Sequence, residues 1–68
     1  MKAFAKNLRE LRLQRRLTQH NLAVLLNTTN SSVCDWECER AEPNYDTLKK
    51  IADILDISID ELFDRRDG

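Results

Sequence analysis

Apolar side chains recur near the start of the chain at Phe4, Leu8 and Leu11, joined by the stem of Arg12 and by Leu13. Steps of four and three put such residues on one helical face, so a first helix is expected from about residue 3 to 15. Thr18 then stands where an N-cap belongs. Its hydroxyl can accept from a free backbone N–H two or three residues on, ahead of Leu22, Ala23, Val24, Leu25 and Leu26. This second helix should stop at Asn27, a residue that tolerates the left-handed conformation of a helix terminator. Thr29 can cap a third helix, Thr29–Glu37, which turns Val33 and Trp36 inward at a spacing of three.

Glu39–Pro43 reads as a polar connection. Asn44 caps a fourth helix, with Leu48, Ile51, Ala52 and Leu55 on one face. Ser58-Ile59-Asp60-Glu61 is a capping box in which Ser58 and Glu61 can satisfy each other's free N–H groups. It opens a fifth helix carrying Leu62 and Phe63. The only glycine is Gly68 and the only proline Pro43, so caps mark the turns in place of breakers. The expected fold is all-α: five short helices, no strand, one domain over residues 1–68. Two short helices joined by about three residues, the second and third here, have the sequence form of a helix-turn-helix.

Length and charge narrow the function. A chain of 68 residues buries only about 60% of its unfolded surface, so further stabilisation is expected, from disulfides, a metal or a second subunit. Cys34 and Cys38 are too few for a disulfide scaffold, and their spacing is not that of a zinc knuckle. The start, Met1 to Lys6, lacks the apolar core of a signal peptide, and no apolar run is long enough to span a membrane. A soluble cytoplasmic protein with reduced thiols is expected, stabilised as a homodimer, with no cofactor and no metal. Net charge is −1, but unevenly spread. Residues 1–34 hold Lys2, Lys6, Arg9, Arg12, Arg15 and Arg16 against Glu10 alone, while the remainder holds five basic and eleven acidic groups. One face attractive to phosphates is a consequence of that asymmetry; a merely solvated first helix is the other.

The ordered stretches Leu8-Arg9-Glu10-Leu11-Arg12, Leu17-Thr18-Gln19-His20-Asn21-Leu22-Ala23, Val33-Cys34-Asp35-Trp36-Glu37 and Pro43 through Phe63 resemble the phage-repressor and Cro-like helix-turn-helix family, the xenobiotic-response-element type. The resemblance covers about residues 5–63. It implies a compact five-helix, lambda-repressor-like domain that binds double-stranded DNA, usually as a dimer, in transcriptional control. Thr18 and Gln19 would open the second helix, the Gln touching a phosphate and bracing the recognition helix. Thr29, Asn30 and Ser31 would reach bases or nearby phosphates, and Asp35 aligns with another base-contacting position. Arg12 and Glu37 match a structural ion pair between the first and third helices.

Elementary geometry adds to this. Positions 30, 31, 34, 35 and 38 lie opposite the Val33/Trp36 face, which puts Cys34 with Asn30, Ser31 and Asp35 on the DNA side. A helix N-terminus in the major groove directs free N–H groups and partial positive charge at DNA. Asn30 can pair with adenine, and Ser31 reads less selectively. Asp35 either accepts from a cytosine amino group or repels phosphates. The chain departs from the family it resembles where Glu39 occupies the usual place of a helix-ending Gly. Glu42 stands where that family commonly has a basic loop residue, leaving Arg40 as the backbone contact that the resemblance implies for this loop.

Each remaining feature has a plainer reading beside it. Trp36 is core by spacing rather than a base-stacking residue. His20 either faces solvent in the first turn of the second helix or touches a phosphate from there. Arg15 and Arg16 suit the helix dipole, and flanking DNA is the other reading of them. Arg12–Glu37 is either a buried tie or a surface pair. Cys34 and Cys38 are reduced thiols or a redox switch on the groove side. The chain has no catalytic triad, phosphate-cradling loop or metal cluster, so no enzyme is expected. The expected function is a sequence-specific, repressor-like regulator that binds a near-palindromic site, with the Leu62-Phe63 end as candidate dimer surface. A protein-interaction module or antitoxin that keeps the fold is the alternative, motivated by Asp35, Glu37, Glu39 and Glu42.

Overall fold

A computed structural model describes residues 2–64 of the chain. Five helices follow in order: α1 (Lys2–Gln14), α2 (Gln19–Leu26), α3 (Asn30–Glu37), α4 (Tyr45–Leu55) and α5 (Ile59–Phe63). The described residues form no strand. The expectation of one domain over residues 1–68 includes residue 1 and residues 65–68, which lie outside those described.

Every helix contributes to one core. Phe4, Leu8 and Leu11 of α1 meet Leu22, Ala23 and Leu26 of α2, Val33 and Trp36 of α3, Leu48, Ile51, Ala52 and Leu55 of α4, and Leu62 of α5. Truncating a buried leucine such as Leu8 to alanine in a core of this kind costs about 2–5 kcal/mol. Helix α1 lies against α3 and α5, α2 against α3 and α4, and α4 against α5. The two short helices α2 and α3 are thereby held as a pair on a three-helix base.

Leu13 is not part of that core. It is 52% exposed. The step from Leu11 to Leu13 turns about 200° around a helix, which carries Leu13 off the buried face that Leu11 occupies. Asn7 takes up the face instead: it lies three residues after Phe4 and four before Leu11, and is buried. Its Nδ2 donates to the backbone carbonyls of Glu61 (3.3 Å), Leu62 (3.1 Å) and Asp64. Those carbonyls end α5 and have no partner within their own helix, so a side chain of α1 closes α5. Phe63 stacks on Phe4 beside it, ring centroids 5.6 Å apart.

Side chains start the helices as the caps suggest. Thr18, Thr29, Asn44 and Ser58 each accept from the N–H three residues on. The two-way capping box falls at Thr18 and Asn21, whose side chains each accept from the other's backbone N–H. At Ser58 only the bond from the Glu61 N–H to Ser58 Oγ forms (3.3 Å). The ends of α1 to α4 share one device. Arg16, Asn27, Glu39 and Asp56 all have φ between 56° and 63°, and the residue after each donates back to the carbonyl five positions earlier: Leu17 to Arg12, Thr28 to Ala23, Arg40 to Asp35 and Ile57 to Ala52. This is the Schellman turn, here made without glycine.

Candidate nucleic-acid interface

Helix α3 has an anchored side and a presented side. Val33 and Trp36 enter the core. Glu37 is the third anchor. Arg12 Nε donates to Glu37 Oε2 (2.7 Å) and Nη2 to Oε1 (3.1 Å), a bidentate pair whose side chains are only 8% and 3% exposed. The remaining Arg12 nitrogen, Nη1, donates to the Leu17 carbonyl (2.7 Å), at the turn into α2. Gln19 Nε2 adds a bond to Glu37 Oε1 (3.2 Å). One carboxylate therefore ties α3 to both α1 and the first residue of α2.

The presented side begins at Thr29. Its Oγ1 accepts from the Ser32 N–H (3.1 Å) and pairs with Ser32 Oγ (3.0 Å), so that hydroxyl is engaged in holding the helix start. Asn30 and Ser31 follow, both exposed and with no side-chain hydrogen bond to another described residue. Their donors and acceptors remain available. Thr18 lies at the start of α2; its Oγ1 accepts from Asn21 N–H (2.9 Å), and its own O–H is left to donate outward.

The far end of α3 differs from its start. Cys34 and Asp35 are half-buried there and Cys38 is exposed. Asp35 Oδ1 pairs with Arg40 Nε at 3.3 Å, and Arg40 Nη2 lies 3.5 Å from Cys34 Sγ. Cys38 first, then Asp35 and Cys34, raise the Arg40 pKa above its ordinary value. Arg40 folds back over the helix end, while Glu39 holds the left-handed turn that sends it there. Sequence patterns gave no sign of this fold-back, nor of Asn7 and its carbonyl partners.

Surface positions complete the picture. Arg15 and Arg16 are exposed where α1 ends, next to the start of α2, and His20 is exposed in the first turn of α2. Leu62 is fully buried, which removes it from the expected dimer surface. Packing of α5 against α1 and α4 is the cause. Exposed apolar side chains lie elsewhere, at Leu13, Val24, Leu25 and Tyr45, with Phe63 only partly open.

Two short helices joined by Asn27 to Thr29, with the second anchored from behind and open at its first turn, form a helix-turn-helix, the DNA-binding arrangement that offers its second helix to the major groove. A model of the helix-turn-helix family matches residues 8–62. The chain belongs to the helix-turn-helix family.

Relatives point the same way. The chain is 42% identical over 59 residues to the HTH-type transcriptional regulator YqaE of Bacillus subtilis, covering 87% of this chain and 51% of that protein. It is 36% identical to the HTH-type transcriptional activator BcrR of Enterococcus faecalis, covering 29% of that protein. The chain thus spans about half, or less, of the curated relatives it matches. Among solved structures it resembles the restriction-modification controller protein C.AhdI of Aeromonas hydrophila, with a TM-score of 0.84 and 35% identity over 91% of this chain and 94% of that one. Hydroxypropylphosphonic acid epoxidase of S. wedmorenis contains a similar unit, with a TM-score of 0.84 and 34% identity, over 32% of its length. The same five-helix unit therefore also occurs as a part of a longer enzyme.

Proposed function

We propose that this chain is a transcriptional regulator that reads double-stranded DNA with α3, the turn from Thr29 to Ser31 seated in the major groove. The observation that carries the reading is the division of α3: Val33, Trp36 and Glu37 are fixed from behind, while Asn30 and Ser31 stand exposed and uncommitted in the first turn. Rigid support is what a base-reading side chain needs, because a paired contact to adenine tolerates little misplacement.

Roles then follow from position. Asn30 takes the paired base contact, and Ser31 a less selective one. Thr18 and Gln19 lie against a phosphate, the Thr18 O–H donating and Gln19 also bracing Glu37. Cys34 and Asp35 continue the groove face, and Arg40 meets the backbone at the far end. Arg15 and Arg16 add positive charge beside α2. A regulator of this kind works in the cytoplasm and carries out no catalysis, and it binds as a homodimer, with two α3 helices about 34 Å apart on a near-palindromic site.

The acidic set that favoured a protein-interaction module loses force in the structure. Glu37 is buried against Arg12, and Asp35 is paired with Arg40, which leaves Glu39 and Glu42 facing solvent. Selection of bound duplexes from a random pool, followed by a salt titration, tests the reading. An enriched sequence and a steep negative slope of log affinity against log salt are expected. An unenriched pool would overturn the base-reading assignment, and a flat slope would favour the interaction module. Sedimentation that found only monomer at high micromolar concentration, with and without the selected duplex, would defeat the homodimer.

A further inference from the structure

Cys34 and Cys38 stand one helical turn apart on the same side of α3, with their Sγ atoms 3.8 Å apart. Both are free, Cys34 half-buried and Cys38 exposed. The Arg40 guanidinium lies against Cys34 Sγ at 3.5 Å and is steadied by Asp35. DNA reading uses this face as a surface and has no use for the thiol chemistry of the pair.

Two thiols do not complete a metal centre. Among the described residues no group of three or more Cys, His, Asp or Glu is arranged to hold an ion, and structural zinc takes four ligands. Thiol–disulfide exchange needs only two sulfurs in contact, at least one of them open to solvent. This pair meets both conditions.

The geometry points to Cys34 and Cys38 as a modification site, a dithiol that a low-molecular-weight disulfide such as oxidised glutathione converts reversibly into an intrachain disulfide. The Cys38 thiolate attacks one sulfur of the oxidised glutathione, the bond between its sulfurs breaks, and one glutathione thiolate leaves. Cys34, as thiolate, then attacks the Cys38 sulfur of the mixed disulfide and expels the second glutathione. Two electrons and two protons leave the cysteines and appear in two glutathione thiols.

Closure changes the helix. Cβ atoms four residues apart in a helix are about 5–6 Å from each other, whereas a disulfide holds them at about 3.5–4.5 Å. The backbone must give way, and its weakest point is Cys38, already outside helical geometry at φ −96° and ψ 5°. The bonds that fix the end of α3 lie there: Cys38 N–H to Cys34 C=O (2.9 Å), and the Arg40 and Ala41 N–H groups to Asp35 C=O. Cys34 also turns away from Arg40. A disulfide closed against such strain is readily reduced again, as a reversible modification requires.

The effect on DNA rests on the regulator reading; the chemistry does not. The experiment incubates the reduced chain with oxidised glutathione and follows intact mass together with affinity for a duplex selected by the reduced form. Expected are loss of two hydrogen atoms without lasting glutathione addition, an affinity about tenfold weaker, as when one groove contact is lost, and recovery of both with dithiothreitol. In Cys34→Ser the glutathione adduct on Cys38 should persist, because no second thiol expels it. A wild-type chain that keeps its glutathione adduct, or that remains a dithiol, overturns the site. A closed disulfide with unchanged affinity overturns its link to DNA. If the reduced chain selects no duplex, the regulator reading fails, and the mass measurement still decides the modification site.

Discussion

Arg12 and Glu37 form a bidentate ion pair, 2.7 Å at its shorter bond, that crosses from α1 to α3 behind the exposed side of α3. Neither side chain has appreciable access to water, and each charge is balanced chiefly by the other. Gln19 and the Leu17 carbonyl use the donor and acceptor capacity that remains. Removing either partner leaves a buried charge uncompensated. Arg12→Ala and Glu37→Ala should each lower stability by about 3–5 kcal/mol. Much of the total stability of a domain this size is then gone. Urea unfolding measures the effect, and unchanged midpoints would contradict the buried pair. The double variant Arg12→Met/Glu37→Leu should recover most of the loss, since an apolar pair of similar volume needs no compensation.

Helix ends offer the opposite prediction. Arg16 and Glu39 sit at φ 58° and 63°, where a Cβ atom crowds the backbone carbonyl at a cost of about 1–2 kcal/mol. Arg16→Gly and Glu39→Gly should raise Tm by a few degrees, the relief exceeding the entropy that glycine adds to the unfolded chain. Asn27→Gly should do less, because asparagine already tolerates this region. A fall in Tm for Glu39→Gly would mean that its side chain supports the turn.

Asn7 supplies donors to three carbonyls at the end of α5. Asn7→Ala should cost about 1–3 kcal/mol, the penalty of leaving buried acceptors unmet. Amide hydrogen exchange should quicken in α5 well before it does in α4, whose own end is closed by Asp56. Equal protection of the two helices in the variant would show that α5 does not depend on Asn7.

On DNA, Asn30→Ala and Arg40→Ala should separate. Asn30→Ala should lose about 1–3 kcal/mol on the selected site and little on random duplex, with an unchanged melting curve. Arg40→Ala should weaken binding to both alike and flatten the salt slope by about 0.9. Fluorescence anisotropy at several salt concentrations gives both quantities. An unchanged salt slope would remove Arg40 from the phosphate contacts.

The caps and the apolar spacing made most of the fold legible. Thr18, Thr29, Asn44 and Ser58 all start helices, and Val33 and Trp36 face the core. Leu13 misleads because its apolar character points to the core while its angle on the helix points away from it. Of the terminators, Asn27 announces itself, and Glu39 does so only by standing in a glycine's usual place. Arg16 gives no sign, since its conformation is imposed by backbone bonds of the turn and not by its own preference, and Asp56, though its type tolerates the region, stands in no pattern that marks it. Asn7 was illegible for another reason: its partners lie 54 to 57 residues along the chain, beyond any local pattern. At the interface, Asn30 and Ser31 could be placed outward from helical geometry. The engagement of Thr29 with Ser32, and of Arg40 with Asp35, depends on side-chain rotamers that spacing does not specify.

The four left-handed corners also bear on how long a molecule survives. Their conformational cost is carried by the native state and vanishes when the chain opens, so each corner enlarges the open fraction. A difference of one or two kcal/mol changes that fraction about five- to thirtyfold, with Asn27 and Asp56 contributing least. Proteases that cleave the open form respond to its population when opening and closing are fast. These corners thus shorten the lifetime of the domain that carries them, and a glycine at Arg16 or Glu39 would lengthen it.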